Sequence, residues 1–226
     1  MAQARARWYS LAGTLLTSPP TRESVEQMLG RDFRQAAAEW AGADSLAMLD
    51  QWAAQADSPD ALCEAFDELF TVPGPKYLTP YESVFRDSRV LEDGREVRGL
   101  TFGPSTDEVM RYYGLAGAEI SDRYDELPDH VGLEVEFMRL LCEREEEALN
   151  RGDVALARRI RETQAGFLNR HLAAWLPDLV ARARERLAHP FYTCLLALLR
   201  DFADADLRYL QSLCSTEIEE AGHGAV

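Results

Sequence analysis

No hydrophobic run in this sequence is long enough to cross a bilayer. A spanning helix needs about 20 apolar residues, and charge interrupts every apolar stretch within a few turns. The first residues, Met1 to Trp8, carry two arginines with no apolar core or cleavage pattern behind them. They do not read as a signal peptide, and the expected location is the cytoplasm. There is no Walker loop or GxGxxG to specify a nucleotide pocket, and no HExxH or GxSxG to specify a hydrolase. The four cysteines, Cys63, Cys142, Cys194 and Cys214, include no CxxC pair, and no histidine completes a zinc spacing. Cys63, Cys142 and Cys194 sit among apolar helical positions and read as buried free thiols. No metal, no cofactor and no catalytic residue is expected. Lysine is almost absent: Lys76 is the one lysine, and all other cationic side chains are arginine. Positive charge as a whole is scarce, with a formal net charge of -15. Such a surface repels phosphate backbones, and no predicted helix presents a basic face, so nucleic-acid binding is disfavoured. Acidity serves solubility, and it also attracts a basic, arginine-bearing peptide. Alternating strand patterns are missing too, and the one Asp-Gly, Asp93-Gly94, lies between charged residues.

Helical periodicity is abundant in the 226 residues. It predicts helices over 3–16, 21–30, 33–40 and 45–55. A fifth opens at Ser58-Pro59, an N-cap followed by proline, and runs through Phe70. Residues 71–101 are irregular, with Val72-Pro-Gly-Pro-Lys76, Thr79-Pro80 and Leu91-Glu-Asp-Gly-Arg95. An irregular stretch of that length inside a compact domain is usually functional or a hinge. A short helix follows from Pro104 to Gly114, then a polar linker over 116–126. The second half predicts helices at 128–150, 154–175, 178–188 and 190–212, separated by Gly152-Asp153, Pro177 and His189-Pro190. The whole reads as all-α, about ten helices in two lobes joined by a hinge. The N-terminal lobe is 1–101, the hinge region 102–127, and the C-terminal bundle 128–226.

Four motifs bear on chemistry. Glu126-Leu127-Pro128-Asp129-His130 puts an acid and a histidine in the first turn of a long helix. They cap and pack the helix end, or they serve as an acid–base pair, which needs a nucleophile or metal that the chain does not offer. Pro80-Tyr81-Glu82-Ser83-Val84 offers an aromatic anchor, a carboxylate for an arginine, and Ser83 as a helix cap. Phe66-x-x-Leu69-Phe70 is core, or a binding wall at the edge of the irregular segment. His171-Leu172-x-x-Trp175-Leu176-Pro177 and Phe191-Tyr192 read as interhelix packing, and Glu143-Arg-Glu-Glu-Glu147 as a solvated face.

In this order and spacing the motifs resemble the TorD/DmsD family of cytoplasmic maturation chaperones for molybdenum-cofactor oxidoreductases, more distantly the NarJ type. The likeness rests on the segments around Phe66, Tyr81 and Asp129, with Leu133, Glu134, Phe137 and Met138, and on the His171–Pro177 and Phe191-Tyr192 segments. It implies a two-lobed all-α fold and no enzymatic activity. It implies binding of an apo-oxidoreductase catalytic subunit, commonly through its twin-arginine signal peptide, with export delayed until the molybdenum cofactor is inserted. It implies a monomer or a lobe-swapped dimer, not embedded in a membrane. Carried over by position, it nominates Phe66, Leu69, Phe70, Pro80, Tyr81, Glu82, Ser83, Glu126, Asp129 and His130 as peptide-binding residues. Several relatives have tryptophan where this chain has Phe66 or Tyr81, which implies a different peptide preference. Two other readings compete: a helical adaptor for a folded partner, and a hydrolase using Asp129 and His130.

Overall fold

The computed structural model describes residues 1–55, 57–122 and 124–223, with side chains described as far as residue 213. The fold is all-α apart from one small hairpin. In chain order the helices are α1 (Ala2–Thr17), α2 (Arg22–Leu29), α3 (Arg31–Ala37), α4 (Ala43–Ala53) and α5 (Pro59–Phe66). After the middle segment come α6 (Glu82–Arg86), α7 (Pro104–Ala116), α8 (Val131–Asn150), α9 (Val154–Arg170), α10 (Leu172–Glu185) and α11 (Pro190–His223). Strands β1 (Ser88–Val90) and β2 (Glu96–Arg98) form an antiparallel pair.

Local chemistry sets most boundaries. The Thr21 side chain accepts from the Ser24 backbone N–H while Ser24 reaches back, a reciprocal cap on α2. Ser58 caps α5 with proline at its first position, and Asp153 caps α9 through the Leu156 N–H at 2.9 Å. Asp87, just past α6, takes two bonds from Ser105, backbone N–H at 2.9 Å and hydroxyl at 2.7 Å, and so seats the start of α7.

α1 packs along α8, α4 on α11, and α9 on both α8 and α11. A contiguous apolar core therefore runs from Ala6 in α1 to Leu210 in α11, with Phe167, Leu172, Trp175 and Tyr192 fully enclosed. Burying each such large side chain is worth roughly 1.5–3 kcal/mol. Arg5 is buried within it and binds Glu145 at 2.9 Å and Asp206 at 2.5 Å, tying α1 to α8 and α11. Cys142 and Cys194 are buried free thiols and Cys63 is partly buried; the Cys214 side chain lies outside the described residues.

The structure corrects several expectations. Asp93-Gly94 does turn a hairpin: Gly94 has φ +82°, and Leu91 N–H bonds the Arg95 carbonyl at 2.9 Å. Five of its six strand residues are exposed and three are charged, so no alternating apolar pattern marked them. α7 runs past Gly114 to Gly117, the residue in the left-handed conformation (φ +63°) that ends it. Pro177 lies inside α10, and the break falls at His171, whose backbone (φ -120°, ψ -102°) is not helical. α8 begins at Val131 rather than 128, because His130 is its N-cap. Glu145 is not solvated: it is 2% exposed and bonds both Arg5 and Arg161. The helix from Ser58 does reach Thr71, but its last turn, Asp67–Thr71, widens to a π-helix.

Candidate functional site

The motifs at residues 80–84 and 126–130 meet as two irregular strands of chain. Tyr81 and His130 form an isolated antiparallel bridge. The Glu82 N–H bonds the Asp129 carbonyl at 2.9 Å, and the Val131 N–H bonds the Pro80 carbonyl at 2.9 Å. This pairing sets the starts of α6 and α8 side by side. Asp129 Oδ2 accepts from the Ser83 N–H at 2.9 Å and so caps α6 across 46 residues of sequence. Ser83 is thus inside α6 and does not cap it. His130 Nδ1 accepts from the Gly132 N–H at 3.1 Å. That bond requires a neutral ring, and burial alone pushes the His130 pKa down to about 4. Asp129 and His130 are each engaged with backbone, and no hydrogen bond joins them. Among the described residues no group of three His, Cys, Asp or Glu side chains is arranged to hold a metal.

Glu82 lies at the centre, fully buried. Its carboxylate takes Arg86 on one oxygen and His171 Nδ1, at 2.8 Å, on the other. Glu134, one turn into α8, is also fully buried and accepts from Trp175 Nε1 at 3.1 Å. Burial, and then the neighbouring Glu82 charge, push the Glu134 pKa well up, which favours its protonated form. Three carboxyl groups, Glu82, Asp129 and Glu134, thus share one water-excluded region. Ser83 Oγ, Asp129 Oδ1, Glu134 Oε1 and His171 Nε2 have no hydrogen-bond partner there. Buried polar atoms are rarely left so, and four in one place mark an unusual site.

The rim is polar and more open. The Tyr81 hydroxyl donates to Glu126 Oε2 at 2.5 Å, and its ring meets the His130 ring edge-on at 5.3 Å. Glu126 is half-buried and the Arg86 side chain is 39% exposed. Thr79, next to Pro80, holds φ +50°, a strained conformation for a β-branched residue.

Phe66, Leu69 and Phe70 are buried apart from this cluster, with the Phe70 ring on Tyr192 at 5.3 Å and on Phe66 at 5.4 Å. Pro80, Tyr81, Glu82, Ser83, Glu126, Asp129 and His130 do come together. Three residues belong to the site beyond those nominated: Glu134, His171 and Arg86. His171 and Trp175 do not contact each other's polar atoms; each bonds a different buried glutamate. Glu134 had a legible signal, since it falls on the same helical stripe as Val131, Val135 and Met138.

The model of the family described as "Nitrate reductase delta subunit" matches residues 28–181, more than half of the chain and all of this site. The chain belongs to that family. It is 40% identical over 75 residues to the selenate reductase assembly chaperone protein of Thauera selenatis, covering 33% of this chain and 38% of that protein. It is 26% identical over 145 residues to the chaperone protein TorD of Shewanella pealeana, covering 64% of this chain and 58% of the relative. To the chaperone protein TorD of Salmonella bongori it is 24% identical over 162 residues, covering 72% of this chain and 65% of the relative. The matches therefore span from 38% to 65% of these relatives' own lengths. They bear out the resemblance to the TorD and NarJ type. No helix among the described residues is long and apolar enough to cross a membrane.

Proposed function

We propose that the chain is an assembly chaperone in the cytoplasm. It binds the apo-form of a molybdenum-cofactor oxidoreductase catalytic subunit through that subunit's twin-arginine signal peptide. Binding holds back export until the cofactor is inserted. The chaperone itself carries out no reaction. The names of the relatives support a reductase as the client class.

The observation that carries this reading is the junction of Tyr81 and Glu82 with Glu126, Asp129 and His130. A guanidinium group is bound by carboxylates with fixed forks, and here three carboxyl groups lie inside and Glu126 stands at the rim. Four polar atoms inside lack partners, so parting the 80–84 segment from the start of α8 would present an unpaired, acidic cleft. In this reading Phe66, Leu69 and Phe70, on the far side of the 71–79 stretch, receive the apolar part of the leader when that stretch moves, and residues 102–127 supply the hinge. The π-helical turn at 67–71 and the strained Thr79 bracket that stretch, which supports the reading.

The test is titration of a fluorescent twin-arginine leader peptide against the purified chain. Saturable binding is expected, weakened roughly tenfold or more by Glu126→Gln or Tyr81→Ala, one strong polar or aromatic contact each. A leader with both arginines changed to glutamine should bind no better than background. Equal affinity for both leaders, or no effect of either substitution, defeats the proposal.

A further inference from the structure

A second cleft lies away from the carboxyl cluster, between α7, the C-terminal half of α8, and α9. Its volume is about 860 Å³. Its charge is opposite to that of the chain. Arg111, Arg144, Arg151, Arg159 and Arg170 line it, in a protein of net charge -15. The three glutamates among its walls are already paired: Glu108 with Arg111 at 3.7 Å, Glu147 with Arg151 at 2.8 Å, and Glu162 with Arg158 at 3.1 Å. Among the described residues Arg144 is bound to two neutral carbonyls, those of Ala116 and Gly117 at the end of α7. Arg159 and Arg170 are exposed and engage no carboxylate among the described residues. Among the described residues three positive charges thus have no carboxylate partner, and they share the cleft with apolar side chains. Among the lining side chains Leu115 is 87% exposed and Leu156 40%, and Tyr112 and Ile160 are half-buried.

We infer that this cleft docks an acidic amphipathic helix of a protein partner. Charge complementarity fixes the sign of the occupant. Spacing fixes its shape. Arg159 and Arg170 stand eleven residues apart on α9, close to three full turns, so they share a face and lie roughly 16 Å apart along it. One phosphate group cannot bridge that distance, whereas a helix lying along α9 can offer carboxylates at both ends. Leu115 and Leu156, exposed in the lining of the cleft, match the apolar stripe of such a helix. The surface is separate from the leader site, although the two adjoin: the Tyr112 ring packs on His171 at 5.2 Å, and the Arg170 carbonyl accepts from Arg86.

The experiment uses a synthetic peptide of about 18 residues, roughly five helical turns. It carries a leucine stripe flanked by glutamates, and a twin carries lysine in their place. Labelled peptide is titrated by anisotropy against the full chain, against Arg159→Ala/Arg170→Ala, and against Leu115→Ala. All three positions are exposed, so the variants should keep the wild-type circular dichroism. The acidic peptide should bind saturably and more weakly as salt rises. The double variant should lose roughly tenfold in affinity and Leu115→Ala a few-fold, while twin-arginine leader binding stays unchanged. Nonspecific adhesion predicts the reverse preference, because the chain is acidic and the lysine twin would bind better. An acidic peptide that fails to bind, or that binds the double variant equally well, overturns the inference. So does saturable, Arg159- and Arg170-dependent binding of tripolyphosphate without peptide binding, which would make the cleft a phosphate site.

Discussion

Glu82 Oε2 and His171 Nδ1 lie 2.8 Å apart with both side chains buried, although 89 residues separate them in sequence. The contact joins α6, a five-residue helix that also packs on α7 and α10, to the α9–α10 corner. Removing one partner of a buried, hydrogen-bonded carboxylate costs more than the contact contributes, because a buried oxygen is left unsatisfied.

His171→Ala should therefore destabilise the chain by about 3 kcal/mol, from the buried Glu82 oxygen left without its partner and the space left beside Tyr112 and Phe167. Arg86→Ala removes the other partner of Glu82, but that side chain is 39% exposed, and its loss should cost at most about 1 kcal/mol. Urea denaturation of both variants gives the order. Equal effects would mean that His171 is not what holds Glu82.

His130 gives stability a pH dependence of known sign. Its folded pKa, about 4, lies below the ordinary 6.5, so the folded state resists protonation. Its contribution is fully present above pH 6.5 and is lost as pH falls toward 4, at up to about 1.4 kcal/mol per pH unit. His130→Asn keeps an N-cap acceptor and removes the titration. The variant should lose less stability than the wild type between pH 6.5 and 4.5, as read from urea midpoints. An unchanged slope would place the proton on His130 in the folded state.

Glu134 acts with the opposite sign. Its folded pKa is raised above the ordinary 4.5, so its contribution is present below pH 4.5 and is lost as pH rises toward the folded value. Over the acid side of neutrality it therefore opposes the His130 slope and partly hides it. Glu134→Gln keeps an acceptor for Trp175 Nε1 and cannot ionise. Relative to wild type it should gain stability as pH is raised from 4.5 to 7.5. The double variant with His130→Asn should show the flattest profile of the four proteins. A Glu134→Gln variant whose stability tracks the wild type at every pH would show that Glu134 is not protonated on folding.

The helices were legible because their signals are local. Thr21, Ser58 and Asp153 each cap the helix that follows them, as their position predicts. Pro177 misled because tertiary packing overrides propensity: Trp175, Leu176, Leu179 and Val180 are buried on one face and hold α10 together across it. The pairing of Asp129 with the start of α6 was not readable, since a cap supplied from 46 residues away leaves no local pattern. Glu82 and Glu134 were legible as carboxylates but not as buried ones. Only the fold brings α6, α8 and α10 together around them. The two surfaces differ likewise: Tyr81 and Glu126 stand in recognisable motifs, whereas the arginines of the second cleft are scattered over three helices and converge only in space.

The close approach of α1 and α8 depends on Gly132. A Cβ there would stand 2.4 Å from Thr17 Cγ2 and 3.2 Å from His130 Nδ1. Thr17 cannot turn away cheaply, because its hydroxyl donates to the Gly13 carbonyl at 2.8 Å and fixes the rotamer. Alanine is the better helix former by about 1 kcal/mol, so two effects compete in Gly132→Ala. The overlap is the larger one, since inserting a methyl into a packed interface costs roughly 1–3 kcal/mol and here also presses on the residue that caps α8. Gly132→Ala should lower stability by about 1 kcal/mol net. Thr17→Ser deletes the obstructing methyl and keeps the hydroxyl. In the Gly132→Ala/Thr17→Ser double variant the helix propensity gain should then show, returning stability to the wild-type value or slightly above, whereas Thr17→Ser alone should be mildly destabilising. That sign reversal, measured as a double-mutant cycle in urea, separates steric contact from any general intolerance at position 132. Additive losses would mean that α8 shifts to accommodate the alanine and that Thr17 does not set the spacing of the two helices.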